Sequence, residues 1–229
     1  MEKNRFCIKH TLLLFTIFCG LWMCFSLPLQ AQTAPPKGAE NLVLVVLGDS
    51  LTAGYGLPPG DGFTDRLEAR LVAEGRAVTV VNAGVSGDTS AGGRARFDWS
   101  VGHNADALIV ALGGNDALRG LPPAALRDNL AAILERAKQR KLPVLLAGMM
   151  APRNLGQPYI TDFDAVYPAL AAEYQVLLQP FFLTDVAGVA RFNQPDFIHP
   201  NKAGVARMVE NILPYVMQLL AHSDKPSHK

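Results

Sequence analysis

Residues Leu42-Val43-Leu44-Val45-Val46-Leu47 form an unbroken apolar run that stops at Gly48. A strand with one face in water alternates apolar and polar side chains. A short, β-branched run without alternation predicts a strand buried on both faces. Such a strand needs a covering layer on each side of its sheet.

The remaining sequence supplies them. Phe63 to Glu74 carries Phe63, Leu67, Leu71 and Val72 at helical spacing and ends at Gly75. Val78 to Val81 predicts a second strand and Ala107 to Leu112 a third, ending at Gly113-Gly114. Pro122 to Arg140 predicts a long helix, with Pro123 in its first turn and Leu126, Leu130, Ile133 and Leu134 on one face. Pro143 to Ala147 reads as a fourth strand, Phe163 to Tyr174 as a helix, and Val176 to Leu178 as a short fifth strand. Asn201 to Leu220 closes the chain as a helix that contains Pro214. Strand–helix alternation predicts an α/β fold with a parallel sheet. Right-handed crossovers then put every strand's carboxyl end on one edge, where open α/β sheets bind ligands.

The N-terminus is of another kind. Lys3, Arg5 and Lys9 precede an apolar run from Leu12 to Leu27, followed by Pro28 and by Leu29-Gln30-Ala31. Basic flank, apolar stretch and small-residue exit predict a secretory signal peptide over residues 1–31, the alternative being a retained anchor. The run is short for a bilayer span and Gly20 interrupts it. Trp22-Met23 before Cys24 argue against lipidation there. All three cysteines, Cys7, Cys19 and Cys24, lie in this segment. Cleavage would leave a chain with no disulfide, thiolate nucleophile or Cys-held metal, and without a membrane span. Residues 32–41 read as a flexible lead-in with Pro35-Pro36 and Gly38, residues 42–221 as one domain, and residues 222–229 as a polar tail. A formal charge of +1 supplies no basic field and argues against a nucleic-acid partner. With 49% hydrophobic and 18% charged residues the chain is not a disordered one.

Four polar clusters fall on the predicted sheet edge. Gly48-Asp49-Ser50-Leu51 follows the first strand, where a serine at a sharp exit can hold its hydroxyl and N–H clear of the sheet. Asn82-Ala83-Gly84-Val85-Ser86-Gly87-Asp88-Thr89 follows the second. Gly113-Gly114-Asn115-Asp116 follows the third, with an amide that can donate to a developing oxyanion. Asp196-Phe197-Ile198-His199-Pro200 precedes the closing helix, so that an Asp and a His three apart can face one way as orienter and general base. Each cluster taken singly also fits turn or cap chemistry. A metal is not indicated, because Asp196 and His199 lack a third His or Cys ligand. Together the clusters hold the parts of acyl-transfer catalysis.

The four blocks, in this order, resemble the SGNH/GDSL hydrolase family, whose four letters fall on Ser50, Gly84, Asn115 and His199. Leu47 to Tyr55, Val85 to Thr89 and Leu112 to Gly120 are similar to its bacterial thioesterase/lysophospholipase/arylesterase branch. The resemblance covers about Leu42 to Leu220. It implies a flavodoxin-like three-layer α/β/α sandwich, periplasmic residence, no cofactor, and hydrolysis of small-molecule acyl esters and thioesters. It also implies Ser50 as nucleophile, His199 as base and Asp196 as its orienter. The oxyanion hole would be the N–H groups of Ser50 and Gly84 and the amide of Asn115, with Asp49 structural.

For the acyl chain, the loops Asp116 to Leu121 and Met149 to Tyr159 are the candidates, through Asp116, Leu118, Arg119, Met149, Arg153 and Leu155. The apolar members equally fit packing beneath a helix. Arg119 and Arg153 fit either an anionic headgroup or simple exposure. The competing functions are a carbohydrate acetylesterase, a non-catalytic binding module on the same fold, and an anion-binding flavodoxin-like protein. The last lacks a phosphate-cradling G-x-x-x-x-G-K run.

Overall fold

The computed structural model describes residues 41–223. The segment assigned to a signal peptide lies outside the described residues, as do residues 32–40 of the lead-in and 224–229 of the tail. The first two residues assigned to the tail, His222 and Ser223, belong to the closing helix instead.

Five strands form one sheet: β1 (Leu42–Gly48), β2 (Val78–Gly84), β3 (Ala107–Ala111), β4 (Val144–Ala147) and β5 (Leu177–Gln179). Their order is β2-β1-β3-β4-β5 and every pairing is parallel. Leu44 to Leu47, all of β3 and all of β4 are buried, as continuous apolar runs require. The helices are α1 (Ser50–Ala53), α2 (Phe63–Ala73), α3 (Ser90–Ser100), α4 (Gly114–Leu118), α5 (Pro123–Gln139), α6 (Gln157–Tyr174) and α7 (Lys202–Ser223). Helix α2 packs on α7, while α5 packs on α3 and α6, which gives the two covering layers. Leu126, Leu130, Ile133 and Leu134 of α5 face the core. Val72 does not: it is 48% exposed, one residue beyond the buried stripe of α2.

Two boundaries differ from the sequence reading in ways that matter. Strand β2 continues through Asn82-Ala83-Gly84, because its register with β1 runs unbroken from Leu42↔Val78 to Gly48↔Gly84. Helix α6 starts at Gln157 rather than Phe163, because Pro158 is tolerated in a first turn that has no N–H bond to lose. The 2-1-3-4-5 order reverses direction at β1, and the crevice outside the carboxyl ends of β1 and β3 is where this topology places a ligand.

That crevice is braced from below by Arg96 of α3. Its guanidinium, buried with the residue 7% exposed, donates to Gly48 O (2.7 Å) at the end of β1 and to Ala83 O (2.8 Å) near the end of β2. It also pairs with Asp88 Oδ2 at 2.6 Å. Removing one partner of a buried pair leaves the other charge and two carbonyls uncompensated. Arg96→Ala is expected to lower unfolding free energy by roughly 3–5 kcal/mol. Urea denaturation checks this; a loss below about 1 kcal/mol would show that the brace is dispensable.

Candidate active site

The site begins with the turn out of β1. Asp49 caps α1, its Oδ1 accepting the Leu51 N–H at 3.0 Å. Gly48 must be glycine, since a Cβ there would lie 2.1 Å from Thr52 Oγ1. The one-turn helix ends at Gly54 in the left-handed region (φ 79°), and Ser50 stands on its first residue. A first-turn N–H has no intrahelical acceptor, so Ser50 offers both hydroxyl and N–H.

Ser50 Oγ lies 3.0 Å from His199 Nε2, and His199 Nδ1 lies 2.6 Å from Asp196 Oδ2. The second oxygen of Asp196 accepts the N–H groups of Ile198 (2.9 Å) and His199 (3.0 Å), locking carboxylate and imidazole into one turn. Phe197 completes that turn with φ 58°. The bond from the His199 N–H, then that from its imidazole, holds the Asp196 carboxyl down to about 2. An ionised carboxylate only accepts, so Nδ1 carries the proton and Nε2 is left to accept from the Ser50 hydroxyl.

Asn115 comes from the turn out of β3, the strand beside β1. Gly113 turns the chain out of β3 with φ 115°, and a Cβ there would sit 2.1 Å from the Tyr167 hydroxyl, itself bonded to Leu112 O. The Asn115 amide then donates to Asp88 O at 2.9 Å and to Asp49 Oδ2 at 3.2 Å. Both neighbours are acceptors, which fixes the nitrogen rather than the oxygen of the amide on that side. Asp49 is 2% exposed, and burial pushes its carboxyl up to about 6.

A cleft of about 620 Å³ opens beside these groups, lined by Ser50, Asn115 and His199 at one end. Its walls are mostly apolar: Leu118, Met149, Met150, Phe181, Leu183, Phe197 and Ile198. Of the six residues read as acyl-chain contacts, Leu118, Met149 and Arg153 line it, and Asp116, Arg119 and Leu155 do not. Asp116 is buried and accepts the N–H (2.8 Å) and hydroxyl (2.5 Å) of Ser90, so it braces α3. Arg119 reaches Gly87 O at 2.7 Å, and Arg153 pairs with Asp164 at 2.9 Å. Gly84 also stands off the cleft lining. Its N–H donates to Asn82 Oδ1 (3.0 Å), and its bare Cα admits α1, since a Cβ would meet Ala53 N at 2.4 Å. Met150, in the Met149 to Tyr159 loop read as a candidate, also lines the cleft, whereas Phe181, Leu183, Phe197 and Ile198 were missed as cleft residues. Phe181 and Leu183 follow β5, so the strand-end rule could have found them. A smaller hollow, about 400 Å³, opens elsewhere among Lys138, Val144, Leu177 and His222. Among the described residues no group of His, Cys, Asp and Glu could hold a metal, and no helix is long and apolar enough to cross a membrane.

Residues 46–207 match the model of the GDSL-like Lipase/Acylhydrolase family. The chain is 43% identical over 198 residues to the esterase TesA of Pseudomonas aeruginosa, covering 86% of this chain and 96% of that one. It is 39% identical over 167 residues to thioesterase 1/protease 1/lysophospholipase L1 of Escherichia coli K12, covering 72% and 79%. Among solved structures, AlinE4, an SGNH-hydrolase family esterase, superimposes with a TM-score of 0.67 at 44% identity, over 79% of this chain and 97% of that one. The protein belongs to the GDSL-like lipase/acylhydrolase family, as an ester hydrolase of the SGNH type.

The raised Asp49 carboxyl has a consequence for stability. A carboxyl whose folded pKa lies near 6, above the ordinary 3.8, costs the fold more as pH rises from about 4 to about 6. Asp49→Asn removes that titration. Between pH 4 and pH 7 the variant should gain about 2–3 kcal/mol on the wild type, any fixed offset cancelling. Parallel urea titrations at the two pH values test this, and an unchanged difference contradicts it.

Proposed function

We propose that the protein hydrolyses acyl esters and thioesters through an acyl-enzyme on Ser50. The observation that carries this is the unbroken line Ser50 Oγ–His199 Nε2 (3.0 Å) and His199 Nδ1–Asp196 Oδ2 (2.6 Å) at the mouth of an apolar cleft. His199 takes the Ser50 proton as Oγ attacks the carbonyl carbon, and Asp196 supports the imidazolium. His199 then returns that proton to the departing alcohol or thiol. Water, deprotonated by His199, releases the acid and restores Ser50.

The oxyanion falls to the Ser50 N–H and the Asn115 amide, preorganised in the site. The longer Asn115 bond, to Asp49 Oδ2 at 3.2 Å, is the one the oxyanion replaces. The Gly84 N–H is held by Asn82 Oδ1. In the same segment the Gly87 N–H makes no hydrogen bond among the described residues, and Gly87 sits at φ 82° next to Asp88, whose carbonyl Asn115 grips. Gly87 therefore fits a third donor better than Gly84.

Acyl chains fit along Leu118, Met149, Met150 and Phe181, in a volume within the usual ligand range of ~300–1,000 Å³. The related proteins named esterase and thioesterase/lysophospholipase support ester, thioester and lysophospholipid substrates. The basic–apolar–small pattern of residues 1–31 supports delivery to the periplasm.

Initial rates on p-nitrophenyl esters of rising chain length, acyl-CoAs and lysophospholipids test this reading. Ser50→Ala should abolish turnover on all of them; full activity in that variant overturns it. Asn115→Ala should lower kcat ~10²–10³-fold. Activity on p-nitrophenyl acetate alone would point instead to an acetylesterase.

A further inference from the structure

Tyr55 does not line the cleft, yet its ring lies against the imidazole of His199, with centroids 4.5 Å apart and planes 38° apart. Two left-handed glycines, Gly54 (φ 79°) and Gly56 (φ 72°), flank it and swing it back over the site. Its backbone is tied to both reacting residues' segments. The Tyr55 N–H donates to Ser50 O at 3.1 Å, and its carbonyl accepts from Gln194 Nε2 at 2.8 Å. Gln194 in turn gives its own N–H to His199 O (2.7 Å) and its side chain to Pro200 O (3.1 Å). Gly56 leaves room for this, since a Cβ there would lie 2.2 Å from Gln194 Oε1. All this holds in place a residue that is 52% exposed and whose hydroxyl makes no hydrogen bond among the described residues. The ring face is what the arrangement presents.

Building on the hydrolytic reading, we propose that Tyr55 is a positioning residue whose ring face holds His199 in line with Ser50 and shares the positive charge His199 acquires on taking the Ser50 proton. An aromatic face is electron-rich and attracts a cation within about 6 Å of its centroid. The other groups facing His199 are Asp196 at Nδ1, Ser50 at Nε2 and the buried Asp49 carboxyl. Nearby cations are directed elsewhere: Lys202 to Asp61 at 3.1 Å and Arg153 to Asp164 at 2.9 Å. A ring that only kept water away would act oppositely, since desolvation disfavours an imidazolium.

The test compares wild type, Tyr55→Leu and Tyr55→Phe. Leu keeps apolar bulk without the π face; Phe keeps the face without the hydroxyl. With a soluble p-nitrophenyl ester from pH 5 to 9, Tyr55→Leu should lose about two- to fivefold in kcat at little change in KM. The acidic limb of its pH profile should move to lower pH by about 0.3–0.7 unit. Tyr55→Phe should restore both. The proposal is overturned if the limb stays put or moves to higher pH in Tyr55→Leu, or if Phe behaves as Leu does. Proton NMR titration of His199 in a Ser50→Ala background reads the same shift without turnover. A shift there in an enzyme with no ester activity would sink the hydrolytic reading and leave the ring–imidazole interaction standing.

Discussion

Everything chemical in this protein rests on the parallel register of β1, β2 and β3. Gly48 pairs with Gly84 on one side and with Ala111 on the other, so three strands end at the same height. Each chain must turn there, and the turns deliver Ser50, Asp88 and Asn115 to one crevice. Close approach at this level leaves no space for side chains, hence the bare Cα of Gly48 under Thr52 and of Gly84 under Ala53. The carbonyls exposed by the turns need a donor. Arg96 supplies it, bridging Gly48 O and Ala83 O with Asp88 as counter-ion. One buried cation thus fixes the ends of two strands and the loop whose Asp88 carbonyl Asn115 grips.

On that frame, two carboxyls near one imidazole are driven in opposite directions. Asp196 sits on the open side, held ionised to about 2 by the N–H groups and ring of its own turn. Asp49 sits beneath, raised to about 6 by burial. Divergent environments of this kind separate the roles of paired carboxyls. Asp196 supports charge on His199, while Asp49 accepts from Leu51 N–H and Asn115 and so fixes the serine turn and the amide. The apolar walls then receive the part of the substrate that does not react.

Much of this could be read from the letters, for identifiable reasons. Unalternating runs such as Leu42–Leu47 and Ala107–Ala111 announce doubly covered strands, and the strand-end rule turns four separated clusters into one site. Local signals failed where tertiary contact decides. Helix α3 was not anticipated: Gly92 and Gly93 are poor helix formers, yet Gly93 lets the helix close on Leu112. The extension of β2 through Gly84 is set by its partner β1, not by its own residues, and it takes Gly84 off the cleft wall. Asp116 looked like a cleft residue beside Asn115, but one residue along a helix turns the side chain inward, to Ser90. Tyr55 carried no periodic signal at all; two flanking glycines were the clue to its placement over His199.

The most direct test of the central claim is covalent. The protein would be treated with an organophosphate ester and its intact mass and peptides measured beside Ser50→Ala and His199→Ala. The account predicts one adduct, on the Ser50 peptide, absent in Ser50→Ala and strongly slowed in His199→Ala, where no base takes the hydroxyl proton. An adduct on another residue, or equal labelling of Ser50→Ala, would contradict it.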